Sequence, residues 1–116
     1  MGKGEFLGEF EQVVLLAVAS LDGNGYGLSI RREIERRTGR SVTVGSVYAT
    51  LARLEEKGMA SSREGEPSPR RGGRARRHFR IRPAGIRALR ASRGMLDSMW
   101  EGIDFGPSPE SAEGHS

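Results

Sequence analysis

Ser46, Ala49, Thr50, Arg53 and Lys57 recur at steps of three and four along a short stretch and carry hydroxyl, methyl, guanidinium and ammonium groups. Helical periodicity places residues at that spacing on one side of a helix. Small side chains let a helix backbone approach another surface closely. Hydroxyls bond phosphate or base edges, and a guanidinium can bind guanine O6 and N7 bidentately. The set therefore has the make-up of a face that enters a DNA major groove. Taken alone, it is also what the solvent side of a third helix in any small bundle can look like.

A second group of residues bears on the same chemistry. Between Pro67 and Leu96 there is no Asp or Glu, while Arg70, Arg71, Arg74, Arg76, Arg77, Arg80, Arg82, Arg87, Arg90 and Arg93 all fall there. The chain has a net charge of +4, and 17 of its 19 basic residues are arginine. Arginine's rigid fork of donors suits phosphate, so this block would attract nucleic acid, anionic lipid or an acidic protein.

Catalytic chemistry finds little footing. His78 and His115 sit in an expected strand and a terminal tail, and no nucleophile triad, carboxylate pair or H-x-x-x-H arrangement can be built around them by spacing. The stretch Asp22 to Glu33 partly fits a calcium-loop template, but Tyr26 and Ile30 stand where oxygen ligands are needed. Gly23, Gly25 and Gly27 lack the spacing of a phosphate-cradling loop. No enzyme, metal or cofactor is expected. With no cysteine, the chain has neither disulfides nor thiolate sites, which fits a reducing cytoplasm. The apolar run Val13 to Leu21 is too short to cross a bilayer, where roughly 20 residues are needed. A cytoplasmic protein with no membrane partner is the expectation.

The elements that must position these residues follow from periodicity. A first helix is expected from about Leu7 to Leu21, with Phe10, Val13, Val14, Ala17 and Leu21 on its apolar face. Leu15, Leu16 and Val18 widen that face until the helix is buried on most sides. The turn "DGNGYG" precedes a second helix carrying Tyr26, Ile30 and Ile34 inward and stopped at Gly39. Thr43 is placed to cap a third helix whose stripe is Val44, Val47, Tyr48, Leu51 and Leu54, ended by Gly58. Two strands, Met59 to Glu64 and Arg77 to Arg82, bracket a Pro/Gly/Arg-rich tip that cannot pack. Three helices, a strand, a basic loop and a strand make the order of a winged helix-turn-helix. In that arrangement the third helix enters the major groove and the wing lies along the backbone.

The segments "LGEFEQVVLLAVASL", "YGLSIRREIERRTG", "VGSVYATLARLEEKG" and "GGRARRHFRIRPAG" together resemble the PadR family of bacterial transcriptional regulators over about residues 5 to 101. The resemblance implies a dimeric winged-helix protein, usually a repressor of an inverted-repeat operator and often relieved by a small aromatic effector. It maps the recognition-helix pattern to Tyr48, Leu51, Arg53, Leu54, Glu55 and Gly58, and the wing to Gly72, Gly73, Arg74, Arg76 and Arg77. It also suggests the short subclass with a single C-terminal helix. His78, Phe79 and Arg82 depart from the family pattern, and Arg82 cannot cap the last helix as threonine does.

The last helix argues for a dimer independently. After Pro83, the residues Ile86, Leu89, Arg93, Leu96, Trp100 and Ile103 recur as a heptad seam with one basic interruption, and Met95 and Met99 broaden its far end. Met95, Met99 and Trp100 form a candidate effector pocket, although such residues at helical spacing more commonly pack an interface.

The expected fold is mainly α with a small β-hairpin: a winged helix-turn-helix domain over 5–82, a dimerisation helix over 83–104, and a disordered tail over 105–116. The DNA-binding set comprises Thr43, Ser46, Tyr48, Ala49, Thr50, Arg53, Lys57, Arg70, Arg71, Arg74, Arg76 and Arg77. The expected partners are double-stranded DNA, a second copy of the chain and a small aromatic effector. The competing readings are a non-specific nucleic-acid or nucleoid binder and a protein-interaction module built on the same scaffold.

Overall fold

The computed structural model describes residues 6–65 and 76–108. Its elements are α1 (Glu9–Ser20), α2 (Gly27–Thr38), α3 (Val44–Glu56), β1 (Ala60–Glu64), β2 (Arg77–Ile81) and α4 (Pro83–Trp100). The two strands pair antiparallel, with Ser62 opposite Phe79. The order and class match the expected mainly helical chain with a β-hairpin.

The helices stop where the local chemistry says they should. Gly39 ends α2 at φ 71° and Gly58 follows α3 at φ 75°, both in the left-handed region that glycine enters freely. At the start of α3 the Thr43 hydroxyl accepts the Ser46 N–H at 3.1 Å. This satisfies one of the amides that a helix start leaves without a partner.

The core lies where α1, α2 and α3 meet behind the hairpin. Val14, Leu15, Val18, Ile30, Ile34, Val47, Leu51, Leu54 and Phe79 are all buried there. Burying one such side chain contributes roughly 1.5–3 kcal/mol, so this cluster holds α3 in a fixed orientation. The turn between α1 and α2 adds to the hairpin, because Phe79 N–H donates to Gly25 O at 2.8 Å. The letters that partly fit a calcium loop thus seat the edge of the wing.

The α1 helix, expected to be buried on most sides with Leu16 on the widened apolar face, is open at that residue. Leu16 is exposed, since α4 crosses one side of α1 and α2 packs on another, leaving grooves on either side of Leu16. The Pro83 start of α4 is as expected, with Arg82 at the N-cap in extended conformation and making no side-chain cap bond. Instead the Arg82 amide donates to Met59 O at 2.9 Å. The other end of α4 differs: the helix stops at Trp100, short of Ile103, because Gly102 takes φ 77°. Ile103 thus lies beyond the helical seam, with its amide on Trp100 O at 3.0 Å.

Candidate nucleic-acid interface

The third helix presents a graded outer surface. Its inner side is Val47, Leu51 and Leu54, and the side opposite carries Gly45, Ala49 and Ala52 and, at its C-terminal end, Glu56, all exposed. Gly45 and Ala52 were absent from the expected set. Counting them in requires knowing which side of the helix the core occupies. Ser46, Arg53 and Lys57 line the flank next to α1, while Tyr48 and Glu55 line the flank toward α2 and the hairpin.

One member of the expected face is misplaced. Thr50 is only 2% exposed, and its hydroxyl accepts from Arg53 Nη2 at 3.1 Å. The reason is rotational, because Thr50 falls between Leu54 and Lys57 on the helix wheel, on the flank that α1 covers. Thr50 therefore supports Arg53 from beneath and offers nothing to an outside surface. Thr43 and Ser46 stay exposed, though their hydroxyls already serve the helix start, with Ser46 Oγ donating to Thr43 O at 2.8 Å.

Tyr48 is 45% exposed, and its ring lies where a side chain on Gly27 would stand. Glycine at the start of α2 thus allows the hydroxyl end of the ring to come up against that helix. Tyr26, beside it, stacks edge-on against His78 with ring centroids 5.8 Å apart. The Arg76 guanidinium lies 4.0 Å from the Tyr26 ring centroid. A cation over an aromatic face is attracted by the ring quadrupole, so Arg76 is fixed to the helix-turn-helix instead of trailing in the wing.

Arg77 continues this chain of contacts. It donates to Ser62 Oγ at 2.8 Å, and Ser62 Oγ donates to Glu55 Oε2 at 2.6 Å. Glu55 of α3 and a strand arginine are thus linked through a serine. Arg70, Arg71 and Arg74, with Gly72 and Gly73, lie outside the described residues.

On the α1 side, Glu11 is only 9% exposed and receives Lys57 Nζ at 2.8 Å. Burial by itself raises the pKa of this carboxyl. The hydrogen bonds from Lys57 and the Gly8 amide and the charges of Lys57 and Arg53 outweigh burial, leaving it below the ordinary value. Glu11 is accordingly ionised when the surrounding cations are.

The last helix turns Gly85, Ala88 and Ser92 toward the body, where Ser92 Oγ accepts the Leu7 N–H at 3.3 Å. Ile86, Leu96, Met99, Trp100 and Ile103 stay exposed, with Trp100 at 60%. Leu89 is partly buried, and Arg93 pairs with Asp97 at 3.9 Å. A groove of about 550 Å³ runs between α1 and α4, lined by Leu16, Ile86, Leu89, Leu96 and Trp100 among others. Of the expected trio at the far end, Met99 and Trp100 share a shallower surface with Phe105, Trp100 also lines this groove, and Met95 lines neither.

Three helices, a hairpin pinned to their turn and a small-faced third helix flanked by cations define a winged helix-turn-helix protein of the DNA-binding class. Residues 15–91 match the model of the transcriptional regulator PadR-like family, and the chain belongs to that family. Its members are DNA-binding transcription regulators, not enzymes. Among solved structures, a PadR-like transcriptional regulator from Bacillus cereus is 19% identical, with 84% of this chain and 93% of that chain covered and a TM-score of 0.64. A PadR family regulator from Eggerthella lenta is 22% identical, with 81% of each chain covered and a TM-score of 0.63. RosR from H. salinarum is 24% identical, with 84% and 81% covered and a TM-score of 0.62. At these identities the likeness is one of fold. No match to a curated protein reaches significance. Among the described residues, no helix is long and apolar enough to cross a membrane.

Proposed function

We propose that this chain is a homodimeric repressor that binds an inverted-repeat operator, with α3 in the major groove and the hairpin along the adjoining backbone. The observation that carries this reading is the exposed row Gly45, Ala49 and Ala52, bounded by Arg53 and Lys57 on one side and by Tyr48 and Glu55 on the other, with Arg77 of the hairpin joined to Glu55 through Ser62. Such a row lets the helix backbone come close to base edges while the cations meet phosphates. A second copy would cover the exposed Leu96, Met99 and Trp100, and two-fold symmetry would set the recognition helices about one DNA turn, roughly 34–36 Å, apart. A flat aromatic effector fits the chemistry of the α1/α4 groove, where Trp100 and Leu16 supply apolar walls and Arg90, Arg93 and Asp97 a polar rim. The protein acts in the cytoplasm, where its operator is.

The experiment is binding of the purified chain to DNA from its own upstream region and to a scrambled duplex of equal length, across a salt series. The expected result is a large preference for its own DNA, lost in Ala49→Glu, which sets a carboxylate in the middle of the small-residue row. Equal binding to both duplexes with the same steep salt dependence would replace this reading with non-specific binding by the basic block.

A further inference from the structure

Glu11 has no place on a surface built to meet phosphate, yet it touches both cations that flank the small-residue row. Its Oε2 receives Lys57 Nζ at 2.8 Å and lies 3.7 Å from Arg53 Nε, while its Oε1 accepts the Gly8 amide at 3.0 Å. Arg53 is held a second time by the Thr50 hydroxyl beneath it. A carboxylate this enclosed is costly to keep unless it is paired and hydrogen-bonded, and here both conditions are met. The pairing draws two long side chains toward α1, away from Gly45, Ala49 and Ala52. Released, each has enough rotatable bonds to swing over that row.

We propose that Glu11 is a positioning residue for DNA recognition. It holds Arg53 and Lys57 on the α1 flank of α3, which assigns both cations to the phosphate backbone and keeps the small-residue row clear for base edges. This changes the role that spacing alone gives Arg53, from guanine reader to backbone clamp. It rests on the DNA-binding reading above.

The consequence for Glu11→Gln is a change of selectivity. The freed cations still meet phosphates, and the row they sweep over loses part of its discrimination. Glu9→Gln is the matched control, because Glu9 lies on the same turn of α1 but pairs with Arg40 at 2.7 Å and not with α3.

The test is binding of the full chain and both variants to a duplex selected by the wild type from a random pool, and to a scrambled duplex, across a salt series. For Glu11→Gln the plot of log affinity against log salt on the scrambled duplex should stay at least as steep as for the wild type, because both cations still meet phosphate. Preference for the selected duplex should fall about fivefold or more, and Glu9→Gln should change neither. A merely structural role for Glu11 would lower the melting temperature but leave the preference at its wild-type value, and that result overturns the proposal. Lys57→Gln gives an independent arm should Glu11→Gln not fold. Its slope should fall by about 1 with affinity lost evenly across base substitutions, and loss concentrated at particular base pairs would overturn the backbone assignment. Failure of the wild type to bind either duplex would overturn the DNA-binding reading itself, and this proposal with it.

Discussion

Arg76 and Tyr26 join the base of the wing to the start of α2, with the guanidinium 4.0 Å from the ring centroid. The two residues are far apart in sequence, and their contact fixes where the second strand leaves the body. A pair of this kind contributes on the order of 0.5–1 kcal/mol when partly exposed. Tyr26→Leu should keep the apolar bulk and release the guanidinium. The expected outcome is DNA affinity weakened about two- to fivefold, evenly over base substitutions, as a loosened wing requires. Measured binding across a set of single-base variants checks this, and a loss confined to certain positions would contradict it.

Glu11 makes stability depend on pH in a defined direction. Its native pKa is lowered below 4.5, so on acidification the unfolded chain takes up the proton first. The stabilisation is therefore complete well above pH 4.5 and is lost as the pH falls through the lower native value. Glu11→Gln lacks this contribution at every pH. The difference in melting temperature between wild type and Glu11→Gln should be largest near neutrality and shrink below pH 4.5, and thermal scans from pH 7 to pH 3 would measure it.

Gly85 sits where α4 crosses the start of the hairpin. A methyl group there would lie 2.5 Å from Met59 O and 3.2 Å from a Leu15 methyl. Neither neighbour can yield easily, since one is backbone and the other is core. Gly85→Ala should destabilise the fold by about 1–3 kcal/mol, despite alanine's better helix propensity. Chemical denaturation gives the number, and Gly94→Ala, where a methyl meets nothing within 4 Å, is the control on the same helix.

Trp100 is the test of the proposed dimer. It is 60% exposed at the end of a helix whose neighbouring Leu96 and Met99 are exposed as well. A charge placed among them would be buried on association at a cost of several kcal/mol. Wild type should have twice the mass of the 12.7 kDa chain at micromolar concentration, and Trp100→Glu should shift it to a single chain. Mass photometry or sedimentation decides this. A wild type that stays monomeric would count against the dimer.

The elements of this protein were legible from its residues because their causes are local. Helical spacing located α1, α2 and α3, glycine marked the ends of α2 and α3, Thr43 announced the start of α3, and alternation in "RHFRIR" marked β2. The PadR resemblance was legible for the same reason, since its motifs are runs of adjacent residues. Rotation and partnership were not. Spacing set Thr50 beside Ser46 and Arg53, but only the packing of α1 over α3 shows that Thr50 is covered and that Gly45 and Ala52 take its place outside. Leu16 is open and the helical seam ends at Trp100 because neighbouring helices and a left-handed Gly102 decide exposure and length, and periodicity carries neither. The pairing of Glu11 with Lys57 spans 46 residues. A charge at that separation acquires its partner only when the chain folds, so what the recognition-helix cations face is a property of the tertiary structure alone.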